Sequence, residues 1–399
     1  MTNRASVLGV YFQSPPENGA EGTELVKSSA MKWVRWIDPD NRSPDNPFRG
    51  RQRVLARLYL PDQEEHERYM ARGAEGARDY ANRMKPRIEK LKAMGIYDVG
   101  GTNEPHPTKA TAPVYDAFYC ELVDIYSGWD MKLWGWDWGV GWPGLARFGD
   151  QALAHVGMAA QTALSVELMR QAGGGVVTHE YNAPSVINED GNNDNSRTLR
   201  ILHILEEWAD AGVDVDKLDG IIGELGIDRG VMAGHPLGGW QTFKSWVYPS
   251  QYGLPTGCMT EERFWLQMSH ADDEYRKIKQ IKVAFPYITN PWGQWASFDW
   301  HGGFIRRSVV KHSHVTPQPD PNQPALVPVH TFLDRMPYSR KAAIALGLEF
   351  LDEVQINPTE FAAVCVDRKQ GKYVALPIKL VGGTWITGTP IALARPLTE

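Results

Sequence analysis

Eight short runs of β-branched and aromatic residues, separated by longer amphipathic runs, constrain this chain more than any other feature. They are Val7 to Gln13, Met31 to Ile37, Val54 to Leu60, Gly95 to Gly101, Met131 to Trp136, Gly174 to Tyr181, Gly220 to Leu225 and Ile281 to Ile288. Helical periodicity fills the gaps at Gln63 to Met94, Val114 to Ser127, Asp150 to Ala172, Ser196 to Ala211 and Thr260 to Lys279, with Asp150 and Ser196 as N-caps and Gly173 and Gly212 as stops. Alternation of this kind gives parallel strands joined by crossover helices, and it predicts an α/β protein of the (β/α)8 TIM-barrel class. An open doubly wound sheet competes with it, but no Gly-rich phosphate turn follows the first run, where Gln13-Ser-Pro-Pro stands instead.

The barrel is expected over residues 1–354. Asp38 to Gly50 is polar and rich in Pro and Asn, so the second crossover reads as an open loop. Ser313 to Val329 holds five prolines without periodicity, which predicts an extended excursion; Ser339 to Val354 has the pattern of a closing eighth helix. Residues 355–399 read as a small β-rich C-terminal appendage, a hairpin of Phe361 to Asp367 with Tyr373 to Leu380 and a third strand near Thr384 to Ile391.

Composition excludes several functions. A net charge of -6, with only a small basic cluster at Arg306, Arg307 and Lys311, argues against a nucleic-acid partner. Cys120, Cys258 and Cys365 are far apart and odd in number, which makes neither a disulfide framework nor a metal cluster. No stretch approaches the roughly 20 apolar residues of a membrane helix, and Met1 to Gln13 lacks a signal-peptide core, so a soluble chain is expected. Fifteen tryptophans are many, and several, including Trp136, Trp292 and Trp295, stand beside Gly, Pro or Asp, where a flat ring can stack on a ligand.

Two acidic residues stand where a barrel places its chemistry. Asn103-Glu104-Pro105 follows two glycines at the end of the fourth run, and Glu224 ends the seventh, flanked by Gly223 and Gly226. Strand alternation puts Glu224 on a face with Gly220 and Ile222, His179 on a face with Val177 and Tyr181, and Glu180 on the opposite side. Arg35 shares a face with Trp33 and Ile37 on the second run and Arg57 with Tyr59 on the third, and one of the two is expected to serve the site and the other a structural ion pair. Two carboxylates across one opening suit glycoside hydrolysis: one carries a proton to the leaving oxygen while the other attacks the anomeric carbon. Arg and Tyr donors are expected to keep Glu224 ionised, and a less polar pocket to keep Glu104 protonated, with Asn103 donating to a sugar hydroxyl. Glu180 is expected either on a substrate hydroxyl or in a salt bridge. This chemistry needs no cofactor and no metal. A metal-dependent hydrolase built on His106, His179 and Glu224 is a second possibility, although no His-x-His follows the first run. A non-catalytic glycan-binding barrel of a cell-wall or phage assembly is a third.

The segments Asn103-Glu104-Pro105 and Gly223-Glu224-Leu225-Gly226, three strands apart, resemble the acid/base and nucleophile motifs of the clan A retaining glycoside hydrolases, whose family 5 members carry Asn-Glu-Pro and Gly-Glu-Phe-Gly. His179-Glu-Tyr-Asn182 with Glu224-Leu-Gly-Ile-Asp228 is also similar to glycosidase-like domains of bacteria and their phages. The resemblance implies a barrel acting on carbohydrate, with Glu104 as acid/base and Glu224 as nucleophile. It further implies an early-strand arginine (Arg35 or Arg57) on the nucleophile, Tyr181 or His179 beside it, and Trp292 or Trp295 beneath the sugar.

Overall fold

The computed structural model describes residues 4–13, 20–42, 45–60, 63–143, 158–187, 197–232, 234–247, 257–289, 291, 293–300, 303–314, 349–357, 360–367, 372–381 and 384–396. The chain divides into two compact units, Met1–Pro321 and Asn322–Glu399.

The first unit is a (β/α)8 barrel. Its strands are β1 (Val10–Phe12), β2 (Trp33–Ile37), β3 (Arg53–Arg57), β4 (Asp98–Gly100), β5 (Lys132–Trp138), β6 (Gly175–Asn182), β7 (Gly220–Ile227) and β8 (Ile281–Pro286), parallel and hydrogen-bonded in chain order. Parallel bridges from Leu8 to Ala284 and from Phe12 to Thr289 join the last strand to the first, with Gly9 N–H donating to the Ala284 carbonyl at 2.9 Å. Closure removes both sheet edges.

The crossovers carry α1 (Ala20–Ser28), α2 (Pro39–Arg42), α3 (Gln63–Met70), α4 (Gly73–Ala93), α5 (Ala112–Gly128), α6 (Met158–Gln161), α7 (Ala163–Gln171), α8 (Ile201–Asp210), α9 (Glu261–Tyr275) and α10 (Gly303–Ser313). The second crossover is short in helix, as its polar sequence predicts. The single helix expected from Gln63 to Met94 is broken in two, and Gly73 at φ 56° takes a backbone conformation that a Cβ would resist. Asp150 and Ser196, the expected N-caps, lie outside the described residues; Thr260 does cap α9, accepting from the Arg263 N–H at 3.2 Å.

The eighth helix differs from expectation. It is α10, directly after β8, tied to α9 by His312 Nε2 at 2.7 Å from Asp272 Oδ2 and to the chain after α1 by the Ala30 N–H on Ser313 Oγ at 3.0 Å. The described part of the expected helix Ser339 to Val354 is instead strand, since Glu349–Asn357 forms β9 of the second unit. There β9, β10 (Glu360–Asp367), β11 (Lys372–Val381), β12 (Thr384–Thr387) and β13 (Ile391–Pro396) make an antiparallel sheet with β11 paired to β10, β12 and β13. Val374, Leu376 and Ile378 alternate as its buried residues, the period-two pattern of a strand with one covered face.

Inside the barrel, Trp33, Leu55, Trp134, Val177, Ile221 and Val283 pack as one apolar cluster. Two strands then depart from simple alternation. On β5 the register advances from Gly135 to Trp138 while β6 advances only from Val176 to Thr178, and on β7 it advances from Ile222 to Glu224 against Thr178 to His179. Each is a bulge that inserts one residue and re-aims the side chains beyond it. In β7 it brings Ile221, not Ile222, into the interior cluster, yet turns Glu224 inward above it.

Gly223 is the inserted residue on β7, and a Cβ there would overlap the side chains of Arg35 and Val177 and lie 3.0 Å from Asp137 Oδ1. Gly223→Ala is therefore expected to lose about 1–3 kcal/mol to overpacking, read as a lowered thermal midpoint. An unchanged midpoint would mean that the bulge is not tightly packed.

Candidate active site

The strand ends converge on Glu224, which is nearly closed to solvent. Its Oε1 accepts from Arg57 Nη1 at 2.6 Å and from the Tyr11 hydroxyl at 3.3 Å, and its Oε2 accepts from the Tyr181 hydroxyl at 2.8 Å. Arg57 also donates to the Tyr11 oxygen. Burial and the Glu224 charge raise the Tyr181 phenol well above its ordinary range, so it stays a donor.

Glu104 lies opposite, beyond the end of β4, with its side chain 34% exposed. Its backbone is at φ 42° and its N–H donates to the Asp137 carbonyl at 3.0 Å. A positive φ costs a residue with a side chain about 1–3 kcal/mol. The bend lets Glu104 Oε1 meet His179 Nδ1 at 2.8 Å, and the same nitrogen is 3.5 Å from Glu224 Oε2. Burial pushes the Glu104 carboxyl up, but the hydrogen bond and charge of His179 and the charge of Arg57 outweigh it and hold the group below its ordinary value. This departs from the expectation of a less polar pocket that keeps Glu104 protonated, because the adjacent imidazole and Arg57 favour the ionised carboxyl more than burial disfavours it.

His179 is wholly buried. Its Nε2 is 2.8 Å from Asp137 Oδ1 and 3.3 Å from Arg35 Nη1, and Arg35 Nη2 donates to Asp137 Oδ2 at 2.5 Å. Burial lowers the imidazole, but the charges of Glu224 and Asp137 and hydrogen bonds to Asp137 and Glu104 overcome it and push the ring up to about 9. Burial alone would raise Asp137; Arg35 and His179 reverse this and hold it well below the usual carboxylate range. The two arginines thus divide: Arg57 touches Glu224, and Arg35 pairs with Asp137.

One donor atom each from Glu104, His179 and Glu224 lies within 4.8 Å of the others, the one such grouping among the described residues. His106 takes no part in it. It stands exposed, 3.6 Å from Glu67 and edge-on to Trp142, so the set His106, His179 and Glu224 is not assembled.

No protein-family model matches the chain, and no curated protein does. Solved structures do resemble it. The spore cortex-lytic enzyme SleL of Bacillus megaterium QM B1551 is 11% identical over 76% of this chain and 74% of its own, with a TM-score of 0.43. A broad-specificity GH5-4 endoglucanase from Clostridium longisporum is 9% identical over 79% and 99%, at 0.40, and an endo-β-1,4-mannanase from Thermotoga petrophila 9% identical over 98% and 97%, at 0.43. Likenesses at this level are of architecture, and they assign no residue here a role.

The other expected site residues fall into three groups. Asn103 is half-buried beside Glu104. Trp295 is half-buried, 5.6 Å from the Tyr287 ring, which in turn meets Tyr11 and Tyr181, so it extends an aromatic wall next to Glu224. Trp292 lies outside the described residues. Two do not reach the opening. Trp136, at φ 59° in the β5 bulge, is turned outward, stacks on Trp138 at 4.6 Å and donates to Ser165 Oγ at 2.8 Å, so it packs in the core and does not line the site. Glu180 points away from the mouth, accepting from the Ile201 N–H at 2.9 Å and from the Leu199 N–H and Tyr275 hydroxyl. Buried and turned from the opening, it is the acceptor that anchors the start of α8 and not a ligand at the mouth. Next to it, Arg200 donates to the carbonyls of Gly141 and Pro143, which hold Trp142 against His106.

Tyr11 and Asp137 were not among the expected residues. Tyr11 shares a face of its strand with Gly9 and Gln13, and inward alternation would have found it. Asp137 is hidden by its context, since an acid between Trp136 and Trp138 looks like a loop residue unless the bulge is known.

Burial pushes Glu180 up to about 7 despite its hydrogen bonds. An unfolded chain has this group near 4.3. Between those values the folded state keeps the proton that the unfolded state loses, so the contribution is full below the unfolded value and is lost as pH rises toward 7. Glu180→Gln should therefore gain stability relative to wild type between about pH 5 and about pH 8 in urea denaturation; an unchanged difference at the two pH values would show that Glu180 ionises at no cost.

Proposed function

We propose that this barrel is a retaining glycosidase that cleaves a β-linked polysaccharide or oligosaccharide, within the chain, by double displacement. The observation that carries this reading is the convergence of Glu104 and Glu224 from two distant strands on one opening, with carboxylate oxygens within 4.8 Å. Retaining pairs stand about 5–5.5 Å apart and inverting pairs about 6.5–9.5 Å, leaving room for a water. The asymmetry of the two environments supports the division of labour. Glu224, aligned by Arg57, Tyr11 and Tyr181, attacks the anomeric carbon. Glu104, open to solvent and hydrogen-bonded to an imidazole, protonates the leaving oxygen and then takes a proton from water. The Tyr287 and Trp295 rings offer apolar faces to the sugar. A metal bridging Glu104, His179 and Glu224 is the weaker reading, because Arg57 already neutralises Glu224 and would repel a cation.

A panel of chromogenic β-glycosides and polysaccharides tests this directly. Glu224→Ala should abolish turnover and be rescued by azide to give the glycosyl azide of opposite anomeric configuration. Glu104→Ala should lower kcat/KM by about 10²–10⁴ on substrates with poor leaving groups. Wild-type activity in Glu224→Gln would reject the assignment, and no turnover by the wild type across the panel would leave a glycan-binding barrel.

A further inference from the structure

Glu104 keeps a backbone conformation that a residue with a side chain resists, at φ 42°, so the chain around it must hold it there. The exit of β5 grips this segment at three points. The Asp137 carbonyl accepts the Glu104 N–H at 3.0 Å. Gly139 lies against the Glu104 side chain, where a Cβ would stand 3.3 Å from Cδ and 3.4 Å from Cβ and Cγ. Trp142 meets the ring of His106, just beyond Glu104 in the chain, edge-on with 5.3 Å between centroids.

The β5 exit is in turn tied from the start of α8. Arg200 is buried, and its Nη2 donates to the Gly141 carbonyl at 2.8 Å and to the Pro143 carbonyl, on either side of Trp142. One guanidinium thus closes the turn that Trp142 N–H begins by donating to the Gly139 carbonyl at 3.0 Å. Such a bridge holds only where the backbone that carries it is fixed. Glu180 fixes it: its carboxylate accepts from the N–H groups of Leu199 and Ile201, which flank Arg200, and from the Tyr275 hydroxyl. Leu199, at φ 65°, needs this clamp as Glu104 needs its own. Strand β6 therefore reaches Glu104 by two routes. His179 meets it directly at 2.8 Å, and Glu180, the next residue and turned outward, reaches it through Arg200 and the β5 exit.

We propose that Arg200 and Glu180 are positioning residues for the acid/base: Glu180 fixes the backbone at Arg200, Arg200 fixes residues 139–143, and these hold Glu104 bent toward the leaving oxygen. The mechanical link stands on the contacts above; its consequence for turnover rests on the glycosidase reading. Both residues are buried, so neither is placed to touch a substrate. With the link cut, the Glu104 backbone relaxes toward negative φ, which draws its carboxyl away from His179 and from the glycosidic oxygen. Glu224 is aligned by Arg57, Tyr11 and Tyr181 instead, so its attack on the anomeric carbon is kept. The loss falls on proton transfer.

The test compares Arg200→Met and Arg200→Lys with the wild-type full-length protein on two β-glycosides of the sugar that the enzyme accepts. One carries dinitrophenol, which departs without a proton; the other carries an alkyl alcohol, which needs one. A misplacement of about 1 Å can cost about 10²-fold, so Arg200→Met should lower kcat/KM by about that factor on the alkyl glycoside and by less than about threefold on the dinitrophenyl glycoside. On the latter kcat and KM should fall together, because the glycosyl-enzyme accumulates when Glu104 no longer serves water as base. Arg200→Lys keeps a donor for one of the two carbonyls and should recover part of the loss. Glu180→Gln should show the same pattern at smaller size, which keeps the test decisive if Arg200→Met fails to fold. Loop placement is read without turnover from the Trp142 indole N–H in a proton–nitrogen NMR spectrum, assigned by its loss in Trp142→Phe; it should move in Arg200→Lys and in Glu180→Gln. An equal fall on both glycosides, or an unmoved indole signal, would overturn the proposal. If the wild type turns over no glycoside while the indole signal moves, the glycosidase reading fails and the link from Glu180 to the β5 exit stands.

Discussion

A balance of buried charge governs the mouth of this barrel. Glu104, Glu224 and Asp137 bring three carboxyl groups to one place, and Arg35, Arg57 and His179 answer them at 2.5–2.8 Å. An unpaired ion there would cost several kcal/mol in lost hydration. Each member is thus held by its partners as much as by its own backbone. Below this layer Trp33, Leu55, Trp134, Val177, Ile221 and Val283 form an apolar cluster, and the charged pair beneath it, Arg53 with Asp98, is already matched. The polar layer is also where the barrel accepts a costly backbone, at Glu104 and at Trp136, both at positive φ.

The two bulges make that balance possible. Strict alternation on β5 would send Trp136 inward and Asp137 outward, and on β7 it would pair an inward Ile221 with an outward Glu224. One inserted residue on each strand reverses the outcome, placing Asp137 against His179 and Glu224 against Arg57. Gly223 serves this by having no side chain where Arg35 and Val177 come together.

This also explains how much the sequence alone could reveal. Hydrophobic periodicity located all eight barrel strands in order, because buried parallel strands write long apolar runs. Motif spacing pointed to Glu104 and Glu224, and alternation on β6, free of bulges up to His179, separated inward His179 and Tyr181 from outward Glu180. Period-two reasoning does not survive an inserted residue, so Asp137 was missed and Trp136 was expected at the site. Glu180 carries no sequence mark of its role, since its partners are backbone N–H groups near residue 200 and a tyrosine on α9. The eighth helix stands earlier in the chain than the helical pattern of Ser339 to Val354 suggests, since that pattern ends in residues that form a strand beside β10. The choice between Arg35 and Arg57 turned on a register no single-strand pattern contains.

The two acids differ in a way that chemistry can use. Glu224 is clamped on both oxygens and hidden; Glu104 meets the His179 ring and is the more reachable of the two. A fixed, aligned carboxylate suits bond formation to carbon, and an accessible one suits proton exchange with an incoming water. Carboxylate oxygens within 4.8 Å of each other suit the closer spacing that the proposed double displacement calls for. The most direct test is proton NMR of the first product released from a β-linked substrate, before mutarotation. The β-anomer is predicted; an initial α-anomer would contradict double displacement and the pairing on which it depends.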